Sequence, residues 1–191
     1  IPYLLLVAAL AGALLWWQAR QGAGAPGLGQ VVSSGTATVG GPFTLTDQKG
    51  RKLSSSDFRG RYMLVYFGYT MCPDVCPTTL AVMADALEKI DDKGAKIVPV
   101  FITIDPERDT PKVLATYMQS FGDQLVGLTG TQAEIAAVGK AYKVYARKAP
   151  LDPAKGLAGG YAMDHSSVIY LMGPDGKLGS FWDELIPADR L

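Results

Sequence analysis

The chain is poor in the residues that usually crowd a metal or catalytic centre. It has one histidine and two cysteines in 191 residues, and its 18 basic residues are matched by 18 acidic ones. A balanced charge leaves no electrostatic footprint for nucleic acid or for an acidic partner. With no further cysteine or histidine, a four-ligand Cys/His zinc site is out of reach. The composition, 48% hydrophobic and 19% charged, is that of a folded protein. Its length suits one ordinary domain plus an appendage.

The appendage is N-terminal. Residues 1–17 are apolar and uncharged, at the short end of what crosses a bilayer core. Trp16 and Trp17 close the run where an interfacial aromatic belt falls, and Arg20 follows. A secretory signal has an apolar core of about 7–15 residues, shorter than this one. The expectation is a retained single-pass transmembrane anchor over residues 1–20, with the rest of the chain exported. Residues 21–41, rich in Gly, Ser, Ala and Thr without apolar period, read as a flexible tether. Residues 42–191 remain as the domain.

Within the domain, residues 42–51 predict a short hairpin turning at Gly50. Residues 63–68 are continuously apolar, as a strand covered on both faces requires. Leu80, Met83, Leu87 and Ile90 recur at helical spacing and predict a helix from Pro77 to about Asp91. Residues 97–104 read as the next buried strand, with Pro99 favouring a less central place. Thr110 and Pro111 open a helix running through Phe121. A short strand over 125–128, a helix over 131–142 and a loop over 150–160 come next. A strand over 167–172, a tight turn over 173–176 and a hairpin partner over 178–182 close the domain. Strands alternating with helices predict an α/β sandwich: a central mixed β-sheet flanked by helices.

Both cysteines fall in Cys72-Pro-Asp-Val-Cys76-Pro, between an apolar strand and a helix. As a structural disulfide they would close a very short loop and stabilise little. A helix N-terminus favours anions, and thiolate is the form that attacks disulfides and binds metals. Strand, cysteine turn, helix is the layout of thioredoxin-like oxidoreductases, but those place two residues between their cysteines, and here Pro73, Asp74 and Val75 intervene. A peroxidatic cysteine expects Pro and Thr seven and three residues upstream. Those places hold Tyr69 and Pro73 for Cys76, and Val65 and Tyr69 for Cys72.

The third candidate is His165, in Asp164-His-Ser-Ser just ahead of an apolar strand. In an open sheet the entry to a late strand can lie beside the strand-to-helix turn. Two thiolates and one imidazole suit Cu(I) through sulfur and keep Cu(II) accessible through nitrogen. Met71 and Met163 flank the two segments and could add a thioether, although such methionines more often pack. Asp164 is placed to orient the histidine from an outer shell.

Gly41-Pro-Phe-Thr-Leu-Thr-Asp, Asp57-Phe-Arg-Gly-Arg-Tyr-Met-Leu-Val-Tyr-Phe-Gly-Tyr-Thr, the cysteine segment, Thr103-Ile-Asp-Pro-Glu-Arg-Asp-Thr-Pro and Asp164-His-Ser-Ser occur in this order. Together, over residues 41–182, they resemble the Sco/SenC family. The resemblance implies a thioredoxin-like fold and one copper ion per chain, Cu(I) or Cu(II), held by Cys72, Cys76 and His165. It implies a membrane-tethered monomer that helps assemble the binuclear copper centre of cytochrome c oxidase. Its partners would be the copper-receiving oxidase subunit and, further, other copper chaperones or thioredoxin-like reductants. Asp105 and Asp109 match the family's acidic segment, as loop and helix-cap residues or in a docking or outer-shell role. A metallochaperone is not an enzyme in the turnover sense. The rival is a thiol–disulfide oxidoreductase using Cys72 and Cys76 as its redox-active pair, with a redox or copper sensor behind it. The expected location is a bacterial cytoplasmic membrane with the domain in the periplasm, ahead of a mitochondrial inner membrane.

Overall fold

The computed structural model describes residues 38–90, 96–150, 160–183 and 186–191. The expected anchor over 1–20 and the tether up to residue 37 lie outside them, as do most of the loop over 150–160 and the tail of the first helix. Among the described residues no helix is long and apolar enough to cross a membrane.

Strands β1 (Thr44–Asp47) and β2 (Lys52–Ser54) form the first hairpin. Then come β3 (Tyr62–Gly68), α1 (Val75–Lys89), β4 (Ile97–Thr103) and α2 (Pro111–Met118), which tightens into a 3₁₀ turn over Gln119–Phe121. They are followed by β5 (Val126–Thr129), α3 (Gln132–Ala141), β6 (Ala146–Pro150), β7 (Tyr161–His165), β8 (Val168–Met172) and β9 (Leu178–Asp183). Among the described residues, seven strands make one sheet in the order β2-β1-β5-β4-β3-β8-β9, and β6 pairs with β7 in a separate two-stranded ribbon. The β3–β4 and β4–β5 pairs are parallel and the others antiparallel, so the sheet is mixed.

The centre of the sheet is covered on both sides. Tyr66 and Phe67 point to opposite faces, as neighbours on a strand must. Tyr66 packs near Phe101, which meets Tyr117, while Phe67 packs with Tyr142 and Tyr170. Helix α1 adds Leu80, Met83 and Ala86 to the core. Burial of each large side chain contributes about 1.5–3 kcal/mol.

Three local outcomes differ from the sequence reading. Strand β4 stands in the middle of the sheet despite Pro99. Pro99 faces Leu64 of β3, but the ladder to β5 begins only at Val100, so on that side the missing N–H falls before any partner strand. Helix α1 starts at Val75 rather than Pro77, which puts Cys76 inside its first turn. Pro77 remains tolerable there because first-turn amides have no helical partner. The β6–β7 ribbon was not anticipated at all.

The loop after β4 binds these layers together. Asp109 is fully buried. Its carboxylate accepts from the Thr70 amide at 3.1 Å, the Thr70 hydroxyl at 2.6 Å and the Thr103 hydroxyl at 2.6 Å. Burial pushes the Asp109 carboxyl up, and these hydrogen bonds pull against it. Replacing Asp109 by Ala strands three donors in a dry site and is expected to cost about 2–4 kcal/mol. Denaturant unfolding of Asp109→Ala beside Asp109→Asn, which keeps acceptor capacity, checks this; equal midpoints for Asp109→Ala and wild type would exclude it.

Candidate metal centre

The site forms where β3 ends. Gly68 closes that strand, and Cys72 and Cys76 follow across the turn into α1. A Cβ on Gly68 would stand 2.9 Å from the Cys76 sulfur and 2.9 Å from Phe101. Only a glycine lets that sulfur rest against the strand. The N-cap of α1 is Asp74, whose side chain makes no capping hydrogen bond. The amide of Cys76 instead donates to the Cys72 sulfur at 3.4 Å, so a thiol takes a role that a cap side chain usually fills.

His165 ends β7, just ahead of β8. Strand β8 runs antiparallel to β3 with Ile169 opposite Tyr66, so the residues that precede β8 lie beside the end of β3. Cys72, Cys76 and His165 are the group of potential metal ligands found among the described residues, their donor atoms within 4.8 Å of one another. His165 Nε2 is 3.6 Å from the Cys76 sulfur, while Nδ1 is 3.1 Å from the Ser166 carbonyl oxygen. A carbonyl only accepts, so Nδ1 carries the proton and Nε2 presents its lone pair to the sulfurs. Tyr69 meets the imidazole edge-on at 5.9 Å between ring centres. Cys72 and His165 line an open cleft whose walls include Tyr69, Pro73 and Met163, and Cys76 is buried behind them.

The two thiols are free, buried and unequal. Cys72 is pulled down to about 4, chiefly by the hydrogen bond from Cys76; burial opposes this, and the amides of Asp74 and Cys76 assist. Cys76 is pushed well up because Cys72 holds the shared charge and because its own sulfur is buried. Tyr66 lies beneath, its hydroxyl 3.7 Å from the Cys76 sulfur and 3.5 Å from the Ser167 hydroxyl. Burial raises this phenol too, so it stays protonated as a donor. The pair gives up its first proton readily and its second reluctantly.

The other sequence candidates are placed as follows. Asp164 is exposed at the cleft, and its carboxylate accepts from the Tyr145 hydroxyl at 3.5 Å. The hydrogen bond that orients His165 is the one its Nδ1 donates to the Ser166 carbonyl. Asp105 is buried and engages Arg108 and the Tyr161 hydroxyl. Met71 is 64% exposed beside Cys72, and Met163 is half-buried in the cleft wall. Sequence reasoning passed over Tyr66, Tyr69, Ser166, Arg108 and Tyr161. Arg108 stands inside a segment already singled out, whereas Tyr161 carries no local signal.

In the metal-free chain Cys72 should alkylate at pH 6 nearly as fast as at pH 8, since both lie above its titration. In Cys76→Ala the hydrogen bond that contributes most is lost. The pH 6 rate should then fall about 10-fold, because without that hydrogen bond Cys72 moves back up toward the ordinary thiol range and less of it is thiolate. Mass mapping of the adducts reads both; a pH 6 rate insensitive to Cys76→Ala would contradict the shared-proton arrangement.

The family model described as SCO1/SenC matches residues 31–191. The chain is 41% identical over 152 residues to the human mitochondrial SCO1 homolog, covering 78% of this chain and 49% of that protein. It spans about half the length of the mitochondrial SCO1 relatives that it matches. Among solved structures it resembles copper-bound ScoI of Bradyrhizobium japonicum at a TM-score of 0.72 and 42% identity, covering 79% of this chain and 93% of that one. BsSco, a member of the Sco family of cytochrome c oxidase assembly proteins in which a disulfide switch was identified, matches at a TM-score of 0.61 and 28% identity, covering 82% and 89%. The mixed sheet flanked by helices is thus a thioredoxin-like fold. With five-sixths of its length matched by one family model, the chain belongs to the SCO1/SenC family.

Proposed function

We propose that this chain is a membrane-anchored copper chaperone that delivers copper to the binuclear centre of cytochrome c oxidase. The observation that carries this reading is the convergence of Cys72, Cys76 and His165, their donor atoms within 4.8 Å of one another, behind an open cleft that Cys72 and His165 line. Two sulfurs and one imidazole nitrogen are a donor set that accepts copper in either oxidation state. The copper-bound relative from Bradyrhizobium japonicum supports the choice of metal. The cargo is one ion per chain.

Binding needs both thiols deprotonated, so loading drives off the proton that Cys76 retains. Release to a partner follows by ligand exchange, sulfur for sulfur, at the cleft mouth. The partner is the copper-receiving subunit of the oxidase, a reading that BsSco's membership in an oxidase-assembly family supports. The apolar run over residues 1–17 would hold the domain at the membrane on its periplasmic side, and residues 21–41 would give it reach.

The unequal thiols favour a second reading, a dithiol reductant acting on the oxidase subunit. The Cys72 thiolate would attack a partner disulfide, and Cys76 would resolve the mixed disulfide. The pair would then become a disulfide, and two electrons would reduce the partner's cysteines. This chemistry needs no imidazole.

His165→Ala separates the two. Copper affinity of the reduced chain should fall about 100-fold or more, since even an outer contact to a ligand is worth about 10–100-fold. Formation of the Cys72–Cys76 disulfide should persist. Competition titration with a Cu(I) chelator, with metal stoichiometry, measures the first, and thiol counting measures the second. Unchanged affinity would sink the three-ligand site.

A further inference from the structure

The ribbon that carries His165 meets the rest of the domain through Met163, which packs against the core, and through the imidazole edge-on to Tyr69, both toward its Ser166 end. It shares no ladder with the seven-stranded sheet, and none of its residues is buried. A two-stranded ribbon on its own is marginal in water. At Ser166 and Ser167 the chain leaves β7 for β8, so that end is a pivot. The other end of β7 is Tyr161, about 13 Å along an extended strand, where a contact has the most leverage over the ribbon's angle.

That end is fastened. Arg108 Nη1 donates to the Tyr161 carbonyl at 2.8 Å, and the Arg108 guanidinium lies over the Tyr161 ring at 3.8 Å. The Tyr161 hydroxyl donates to Asp105 at 2.7 Å, and Arg108 Nε closes the triangle by donating to the same carboxylate. Asp105 is only 1% exposed, so the anchor point is rigid. Lys148 also reaches Glu107 at 2.6 Å, but both side chains of that pair are about half exposed. An exposed pair contributes little, whereas charge-assisted bonds to a buried carboxylate are stronger. The same loop grips Thr70 through Asp109, two residues before Cys72. One short segment therefore holds the thiol turn and the histidine ribbon together.

We propose that Arg108 and Tyr161 are positioning residues that latch the ribbon to the loop after β4 and so set where the His165 imidazole stands relative to the two sulfurs. The proposal deepens the copper reading and rests on it for its functional consequence. The latch itself is a property of the metal-free protein.

The test uses the full chain with Arg108→Lys, which keeps charge but loses the planar fork, and Tyr161→Phe, which keeps the ring but loses the hydroxyl. In the metal-free protein, amide hydrogen exchange across residues 161–165 should accelerate in both variants, while exchange in β3 and β8 and the pH 6 alkylation of Cys72 stay at wild-type values. In the Cu(II)-loaded protein, the imidazole-nitrogen signal in pulsed paramagnetic resonance should weaken, and copper affinity should fall about 10-fold. Wild-type exchange over 161–165 in both variants would overturn the latch. Loss of protection spreading into β3 and β8 would also overturn it, by showing a general structural role. His165→Ala measured in parallel keeps the two claims apart. If it leaves copper affinity unchanged, the copper reading fails while the exchange data still judge the latch. If it lowers affinity but the latch variants do not, only the latch fails.

Discussion

The antiparallel seating of β8 against β3 is the contact on which the site depends. A parallel neighbour would enter at the opposite end of β3, far from the cysteine turn. With Ile169 opposite Tyr66, the residues leading into β8 meet the residues leaving β3 at one edge of the sheet. The two sulfurs and the imidazole are thereby brought together across about ninety residues of intervening chain. The core aromatics beneath make this seating rigid, because Phe67 of β3 and Tyr170 of β8 meet edge to face.

The parts of the fold that face the core were the parts legible in the residues. β3 and β4 are apolar runs because both their faces are covered, and α2 and α3 announce themselves through Thr110 and Thr131, which cap as their types prefer. The β6–β7 ribbon gave no such signal. Its strands carry Arg147, Lys148 and Asp164 on exposed positions and bury nothing, so no alternation marks them. Pro99 misdirected the placement of β4, because a sequence does not say where a neighbouring ladder begins. All three ligand candidates could be picked out by residue type and position. The group that orients His165 could not, since a backbone carbonyl looks the same in every residue.

The environment divides labour between two chemically identical side chains. Cys72, at the cleft, carries the negative charge, and Cys76, against Gly68 and Tyr66, keeps the proton. An incoming soft cation meets a ready thiolate first and must displace a proton to gain the second sulfur. An incoming disulfide meets the same thiolate first and leaves the protected thiol to resolve the bond. The proposed metal chemistry and the rival thiol chemistry would thus use one pair of atoms, and each would exclude the other.

Gly68 has a consequence for how this site would look in a saturation mutagenesis experiment. It offers no side-chain donor atom and closes a strand, yet any side chain there collides with the Cys76 sulfur and with Phe101. Position 68 would score as intolerant as a ligand, for reasons of space alone. A map of functional sensitivity drawn from substitutions would enlarge the apparent metal centre by one residue. The side chain that position 68 lacks is as much a part of the candidate centre as the sulfur that takes its place.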